Sequence, residues 1–154
     1  MKKMMSLVLA MVLVLTMAGC GSKAEEPVSI DVNALYETYT QYLPEMFFPD
    51  EMTMLDFLGI EVEDCVQYKV AICAEGMRAD EVWLIEAKDA EALEKLTGLA
   101  QMRIKAKEDE TVTYTPDQYV IVEKAEVLTN GMYLALLISP DVDAMKAGFE
   151  AAFQ

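Results

Sequence analysis

The sequence predicts an α+β domain, in which an antiparallel sheet of about four strands, arranged as two hairpins, packs with helices in the order α-β-β-α-β-β-α. Two observations support this class. Alternation of side chains marks two pairs of strand-like segments. Other segments repeat apolar residues every three or four positions, as helices do. The length from residue 31 to residue 154 suits one domain and not two.

The first helix is predicted to begin after Asp31, whose carboxylate can cap the first turn, and to end before Pro44. Its apolar positions recur at helical spacing: Val32, Leu35, Tyr36, Tyr39 and Leu43. Residues 46–58 are then expected to form an apolar loop and a short helix ended by Gly59, which together cover one edge of the core.

Three methionines in this stretch, Met46, Met52 and Met54, invite a copper-binding interpretation, because thioether sulfur suits Cu(I). Phenylalanines surround them at positions 47, 48 and 57. We therefore favour the simpler interpretation that the methionines fill the core.

The first hairpin is predicted from alternation along residues 66–72 and from a second strand at residues 81–86, joined by a turn around Glu75-Gly76. Cys65 and Cys73 both fall in the first of these strands. Eight residues of strand separate them by about 26 Å, whereas a disulfide needs Cα atoms about 4.4 to 6.8 Å apart. We expect two free thiols, although a cysteine pair in an exported protein normally suggests a bridge.

A long helix is predicted to follow Asp89 as its N-cap, and a short helical turn is expected at Pro116. The long helix shares one apolar face among Leu93, Leu96, Ala100 and Ile104. The last helix should start at Ser139-Pro140, with an apolar stripe of Val142, Met145, Phe149 and Phe153.

Between these helices, Asn130-Gly131 predicts the second hairpin, because both central positions of a type I′ turn need positive φ. In the strand that follows, Leu134, Leu136 and Ile138 are expected to point into the core. The opposite face, with Tyr133, Ala135 and Leu137, is nearly as apolar. This strand should therefore be central in the sheet or covered on both sides.

The N-terminus has the pattern of an export signal, with Lys2 and Lys3 before an apolar run and small residues before Cys20. The apolar run is shorter than the roughly 20 residues that a membrane-spanning helix needs. Residues 15–20, Leu-Thr-Met-Ala-Gly-Cys, resemble the lipobox of bacterial lipoproteins, with Met17 at a position where leucine is usual. An ordinary secretory signal with an incidental cysteine is the alternative.

The resemblance implies that residues 1–19 are a cleaved signal peptide and that Cys20 carries a diacylglycerol. Two acyl chains anchor a protein firmly, so the expected location is the outer face of the cell membrane. Residues 20–30 hold the lipidated cysteine and the tether, whose polar part, residues 21–27, spans only about 15 Å as a flexible chain.

Charge and composition exclude several functions. Of 12 basic residues two lie in the leader, so 10 remain against 27 acidic ones, a net charge of −17. Such a balance opposes binding to nucleic acids.

The chain has no histidine, so neither a Ser-His-Asp nor a Cys-His catalytic device can form. No phosphate loop or dinucleotide motif occurs either, and we predict no cofactor, no metal, no catalytic residue and no enzymatic activity.

Carboxylates offer two further hypotheses. Six acids flank the first hairpin and could serve acid-pair hydrolysis: Glu61, Glu63, Asp64, Glu75, Asp80 and Glu81. Asp141 with Asp143, or residues 108–110, could bind calcium. We favour solvated surface loops in both cases, because such clusters are common in an acidic chain and no calcium-loop spacing is present. Stacking on a sugar or on a partner protein is a further hypothesis, for three aromatic residues, Trp83, Tyr36 and Tyr39. Their helical and strand spacing favours packing in the core.

Three segments carry a resemblance to a known family. They are residues 75–81, Glu-Gly-Met-Arg-Ala-Asp-Glu, residues 114–119, Tyr-Thr-Pro-Asp-Gln-Tyr, and residues 130–139, which run from Asn-Gly-Met-Tyr into an apolar strand. Over residues 31–153 the chain resembles domain of unknown function 4358, a family of small lipoproteins from Gram-positive anaerobes. The resemblance implies a lipoprotein and brings no activity, ligand or catalytic residue.

Two functions are therefore expected as alternatives. The first is a non-catalytic binding or interaction module that holds a protein or a small solute near the cell surface. The second is an accessory to envelope-polymer enzymes, or a weak acid-pair hydrolase. A concave site that joins aromatic residues and convergent carboxylates would favour the second.

Overall fold

A computed structural model describes residues 28–154 of the chain. The predicted leader, Cys20 and the start of the tether lie outside these residues. The described part is an α+β domain with a five-stranded antiparallel sheet in the order β1-β2-β3-β5-β4. Its strands are β1 Met46–Phe47, β2 Cys65–Cys73, β3 Glu81–Ala87, β4 Glu126–Asn130 and β5 Tyr133–Ile138.

Five helices accompany the strands within residues 28–154. They are α1 Val32–Tyr39, α2 Glu51–Thr53, α3 Ala90–Tyr114, α4 Pro116–Val122 and α5 Val142–Ala151. The carboxylates of Asp31 and Asp89 accept hydrogen bonds from first-turn amides and cap α1 and α3, as predicted. Within the described part of the chain, no helix is both long and apolar enough to cross a membrane.

The sheet is covered on both faces. Leu134, Leu136 and Ile138 of β5 lie with Trp83 in the core under α3. Tyr133, Ala135 and Leu137 lie in the core under α1 and α5. All six residues of β5 are buried, and the strand is paired on both sides, with β3 and with β4. The prediction of a central, doubly covered strand is confirmed.

The prediction of about four strands misses β1. This strand has only two residues, and it pairs antiparallel with Ile72 and Cys73 of β2. Alternation cannot be recognised over two residues, and Pro44 and Pro49 on either side favour a loop. The short helical turn predicted at Pro116 is also longer than expected. It is the seven-residue helix α4.

The turn of the second hairpin lies one residue later than predicted. Asn130 pairs with Tyr133, so the two central residues are Gly131 and Met132. Gly131 has φ of 57°. Glycine at the first central position is typical of a type II′ turn. The backbone twist of such a turn matches the right-handed twist of the paired strands β4 and β5.

Residues 46–58 were predicted to cover one edge of the core, with Met46, Met52 and Met54 inside it. This is wrong for Met52, which is 72% exposed, whereas Met46 is half-buried against the core. Met54 and Leu58 are buried, and Gly59, with φ of 73°, ends the helical turn after them as predicted. The remaining large apolar side chains of this segment are about half exposed or more: Phe47, Phe48, Met52, Leu55 and Phe57. A segment at the edge of a sheet can bury only its inward side, and no second element covers the other side within residues 28–154.

Cys65 and Cys73 lie at the two ends of β2 and are free thiols. Their placement in one strand is as predicted. Burial and the neighbouring charge of Asp64 raise the pKa of Cys65 to about 11. This thiol therefore carries little reactive thiolate at neutral pH.

The strand register defines two ends of the sheet. At one end, which we call the pocket end, Ile72, Glu81 and Ile138 are neighbours. At the other end, the tether end, Cys65 pairs with Ala87 and Glu86 pairs with Tyr133. Val28, the first described residue, lines a cavity with Glu86 and Tyr133, so the chain enters the domain at the tether end.

Candidate functional site: a cationic pocket at one end of the sheet

A cavity of about 190 Å³ lies at the pocket end, between the β2–β3 connection and the second half of α3. Its charged lining residues are Arg78, Arg103, Lys107 and Glu110. The apolar part of the wall includes Phe57, Ile72, Met77 and Tyr114. We call this cavity the cationic pocket.

Glu81 lies directly behind the pocket wall and is fully buried. Arg103 donates from Nε to both carboxylate oxygens, at 3.0 and 3.1 Å, and from Nη2 to Oε2 at 2.9 Å. The indole Nε1 of Trp83 donates to Oε1 at 2.8 Å. Lys107 Nζ lies 3.2 Å from Oε2. A buried carboxylate needs such partners, because desolvation of an uncompensated charge is costly.

Asp80, the residue before Glu81, is also fully buried. Arg78 Nε donates to its Oδ2 at 3.0 Å, and this hydrogen bond raises the pKa of Arg78 above its usual value. The second oxygen, Oδ1, has no hydrogen-bond partner among residues 28–154. Buried carboxylate oxygens are rarely left without a partner, and no other buried side-chain oxygen or nitrogen of the described residues is in this state.

Local structure explains how these cations meet. Arg103 and Lys107 are four residues apart on α3 and therefore lie on the same face of the helix. The Arg103 guanidinium also lies over the Phe57 ring, 4.8 Å from its centroid. Gln118 of α4 accepts a hydrogen bond from the Ala79 amide at 3.0 Å, which fixes the connection that carries Arg78.

The pocket holds the only two arginines of the chain, Arg78 and Arg103. Arginine binds carboxylates through a planar fork that lysine lacks. Two arginines among 12 basic residues were therefore the signal that could have indicated this site from the sequence. The candidate site residues predicted from the sequence were acids, so this pocket was not predicted.

The interpretation of the six hairpin acids as solvated is wrong for three of them. Asp64, Asp80 and Glu81 are buried, whereas Glu61, Glu63 and Glu75 are exposed. Burial was possible because each buried acid has a basic partner, in two cases one that is distant in sequence. The six do not converge on one site, since Asp64 lies at the tether end beside β2.

Asp64 belongs to a separate ion-pair cluster. Lys88 Nζ donates to its Oδ1 at 2.8 Å and Lys95 Nζ to its Oδ2 at 2.7 Å. The hydrogen bond from Lys88, and then that from Lys95, lower the pKa of Asp64 below its ordinary value. The cluster joins the start of β2, the end of β3 and the first half of α3, which is a structural role.

The other sequence-derived candidates do not form sites. Residues 28–154 contain no group of three or more acidic or cysteine side chains placed to hold a metal ion. Asp141 is exposed and precedes α5, and Glu108 and Asp109 pair with Lys105. Trp83, Tyr36 and Tyr39 are buried in the core, as predicted.

Size alone does not select the cationic pocket. A cavity of about 360 Å³ lies at the tether end, and one of about 730 Å³ lies along the exposed side of α3. Their lining includes no buried charged side chain. The cationic pocket is distinguished by its chemistry, because two arginines and the buried Lys107 line it and the carboxylates paired with them lie behind its wall.

Comparison with protein families places the chain in one of them. Residues 34–139 match the model of the domain of unknown function DUF4358, and the chain belongs to this family. The match covers the sheet, most of α1, and all of α3 and α4, and with them all the charged residues of the cationic pocket. No curated protein and no solved structure matches the chain significantly.

Proposed function

We propose that this protein is a lipid-anchored extracytoplasmic module that binds a small solute or a segment of a protein, without catalysis of its own. The observation that supports the binding role is the cationic pocket, in which donors of Arg78, Arg103 and Lys107 surround one cavity. Pockets with a few convergent polar groups and an apolar wall are typical of ligand sites.

The arginines have donors available for a ligand. The Nη1 group of Arg103 and both Nη groups of Arg78 donate to no protein acceptor within residues 28–154. Hydrogen bonds from a charged donor in a partly enclosed site are stronger than those between neutral groups. These groups can therefore contribute binding free energy that their structural ion pairs do not use.

The alternative, an acid-pair hydrolase, has less support. Hydrolysis of this kind needs two carboxyl groups that reach the substrate. Both Glu81 oxygens accept hydrogen bonds from protein donors, and neither Glu81 nor Asp80 lines the pocket. The Glu81 carboxylate is fully engaged behind the wall, and Asp80 Oδ1, although it has no partner among residues 28–154, is buried outside the lining, so neither acid offers an oxygen to a substrate.

The membrane-anchoring part of the proposal rests on Cys20 and is tested by its removal. Labelling with a radioactive fatty acid should tag the wild-type chain, and Cys20→Ala should lose both the tag and membrane retention. A Cys20→Ala variant that stays in the membrane fraction would contradict the anchoring proposal.

The binding part is tested by affinity capture of the intact protein from its own membranes, with bound molecules identified by mass spectrometry. We expect wild-type protein to enrich a molecule that Arg78→Gln does not. Lys124→Gln is the matched control, because it removes the same charge from an exposed side chain outside the pocket. Equal enrichment by all three proteins would contradict binding at this pocket.

A further inference from the structure

We infer that the cationic pocket binds a carboxylate group on a short apolar stem. The inference rests on the proposed binding function and adds the chemical class of the ligand. Its starting point is that both arginines of the chain line one cavity and retain N–H donors that no acceptor within residues 28–154 uses. Paired N–H donors of a guanidinium match the two oxygens of a carboxylate.

The balance of charge favours a singly charged ligand. Arg78, Arg103 and Lys107 face one cavity, and among the described residues that line it Glu110 is the only acid. Behind the wall, Glu81 is shared by Arg103 and Lys107, and Asp80 is paired with Arg78. Two cations that share one carboxylate leave one positive charge, and the acid that offsets this charge is Glu110, whose side chain is exposed to solvent. A ligand with one negative charge is therefore favoured over a doubly charged phosphate, which would bring more negative charge close to Glu110.

The wall and the size of the cavity define the rest of the ligand. Phe57, Ile72 and Met77 give the cavity an apolar side. Its volume of about 190 Å³ is below the roughly 300 to 1,000 Å³ of pockets that hold drug-sized molecules. A carboxylate with a stem of a few carbon atoms fits this space, either as a free organic acid or as the terminal residue of a longer chain.

Purely structural ion pairs would leave the pocket without affinity for added anions, so titration separates the two roles. The full chain, purified from membranes in detergent, is titrated calorimetrically with acetate, propionate, N-acetyl-dialanine, the C-terminal amide of that dipeptide, and inorganic phosphate. We expect saturable binding of propionate or of the dipeptide acid, and no saturable binding of the amide or of phosphate. Tighter binding of propionate would identify a free acid as the ligand, and tighter binding of the dipeptide a chain terminus.

Two variants locate the binding. Arg78→Gln should weaken it about tenfold or more, through loss of charge-assisted hydrogen bonds. Met77→Glu should weaken it as well, because it places a negative charge in the lining of the cavity, on a side chain that is 69% exposed. Lys124→Gln should bind as wild type does. The Met77 variant keeps the test valid if Arg78→Gln fails to fold.

The inference would be overturned if neither propionate nor the dipeptide acid showed saturable binding. Binding of phosphate in preference to both acids would also overturn it. Binding that both pocket variants leave unchanged would overturn it too. Enrichment of a molecule without a carboxylate in the capture experiment, combined with no carboxylate binding here, would reject the ligand class and leave the binding function standing. Failure of both experiments would reject the binding function itself.

Discussion

At the scale of single residues, Glu81 is the group on which the contacts behind the pocket converge. Glu81 is the first residue of β3, and its carboxylate pairs with two residues of α3, Arg103 and Lys107. It also accepts a hydrogen bond from the indole N–H of Trp83. Its side chain has no exposed surface and that of Arg103 is 14% exposed. A pair this deeply buried stabilises little as a whole, but the loss of one partner is costly.

Glu81→Gln is therefore expected to destabilise the fold by about 3 kcal/mol or more, since it leaves Arg103 and Lys107 without their counter-charge. The measurement is the free energy of unfolding from urea melts. Glu126→Gln is the matched control: Glu126 pairs with Lys146 at 3.0 Å, but both side chains are about one-third exposed. Such surface pairs contribute about 0 to 1 kcal/mol. Equal losses in the two variants would contradict the buried network.

Asp64 gives a prediction that depends on pH. Its pKa in the folded state is lowered by Lys88 and Lys95, so its ion pairs stabilise the fold above the unfolded-state pKa of about 3.9. That contribution is lost as the pH falls through the lowered, folded-state pKa. Asp64→Asn should therefore be less stable than wild type near pH 7, and the gap should narrow below about pH 4.

Urea midpoints measured across this pH range test the prediction for Asp64. Asp56→Asn is the control, because Asp56 is exposed and forms no ion pair within the described chain. A gap between Asp64→Asn and wild type that is the same at neutral and acidic pH would show that the lost stability does not come from the charge of Asp64.

At the scale of elements, long periodic segments were predictable and short or edge segments were not. The strands β2, β3 and β5 have alternation or continuous apolar character over six or more residues, and α3 has both a cap and a repeated apolar face. β1 has two residues and lacks such a signal. The exposed side chains of Phe47 and Phe57 were misread because composition shows that a segment is apolar, not which side of it is covered.

The candidate site was less predictable than the fold. Glu81 was noted as an acid, but its partners Arg103 and Lys107 lie more than 20 residues further along the chain. Only the packing of α3 on the sheet brings these residues together. Patterns of apolar and polar residues along the chain do not indicate an ion pair between residues so far apart, so the burial of Glu81 could not be predicted from the local sequence.

The second hairpin permits a test at the element scale. Gly131 has φ of 57° and would meet no atom within 4 Å if it gained a Cβ, so a substitution there tests backbone strain and not crowding. Gly131→Val should cost about 1 to 3 kcal/mol, and Gly131→Asn less, because asparagine tolerates positive φ. Leu136→Ala, in fully buried β5, should cost about 2 to 5 kcal/mol.

Glu123→Gln serves as the control for the hairpin, since Glu123 is exposed and outside the strands, and such changes usually fall within about 0.5 kcal/mol. Glu126 is unsuitable here because it pairs with Lys146. If Gly131→Val and Leu136→Ala unfold at the wild-type urea midpoint, the segment is not the buried hairpin described.

At the scale of the whole molecule, the fold separates the point where the chain enters from the cationic pocket. Val28 lies at the tether end, and the pocket lies at the opposite end of β3, whose seven residues span about 20 Å. Under the proposed anchoring at Cys20, the tether reaches only about 15 Å from the membrane. The tether end should then lie near the lipid, and the pocket should open away from it.

This orientation predicts a difference between two exposed methionines. Met132 lines the cavity that contains Val28, whereas Met77 lines the cationic pocket, and the two side chains are 41% and 69% exposed. Each is replaced by cysteine and labelled with a fluorophore, in a chain whose Cys65 and Cys73 are alanine and whose urea midpoint is checked. Spin-labelled lipids should quench the label at position 132 strongly and that at position 77 weakly. The reason is that quenching requires close approach to the bilayer, and β3 separates the two positions by about 20 Å.

The Cys20→Ala form of each protein is the control, and its label should not be quenched at either position. Equal quenching at the two positions in the anchored protein would show that the domain lies flat on the membrane, and a pocket that faces away from the lipid would then be wrong.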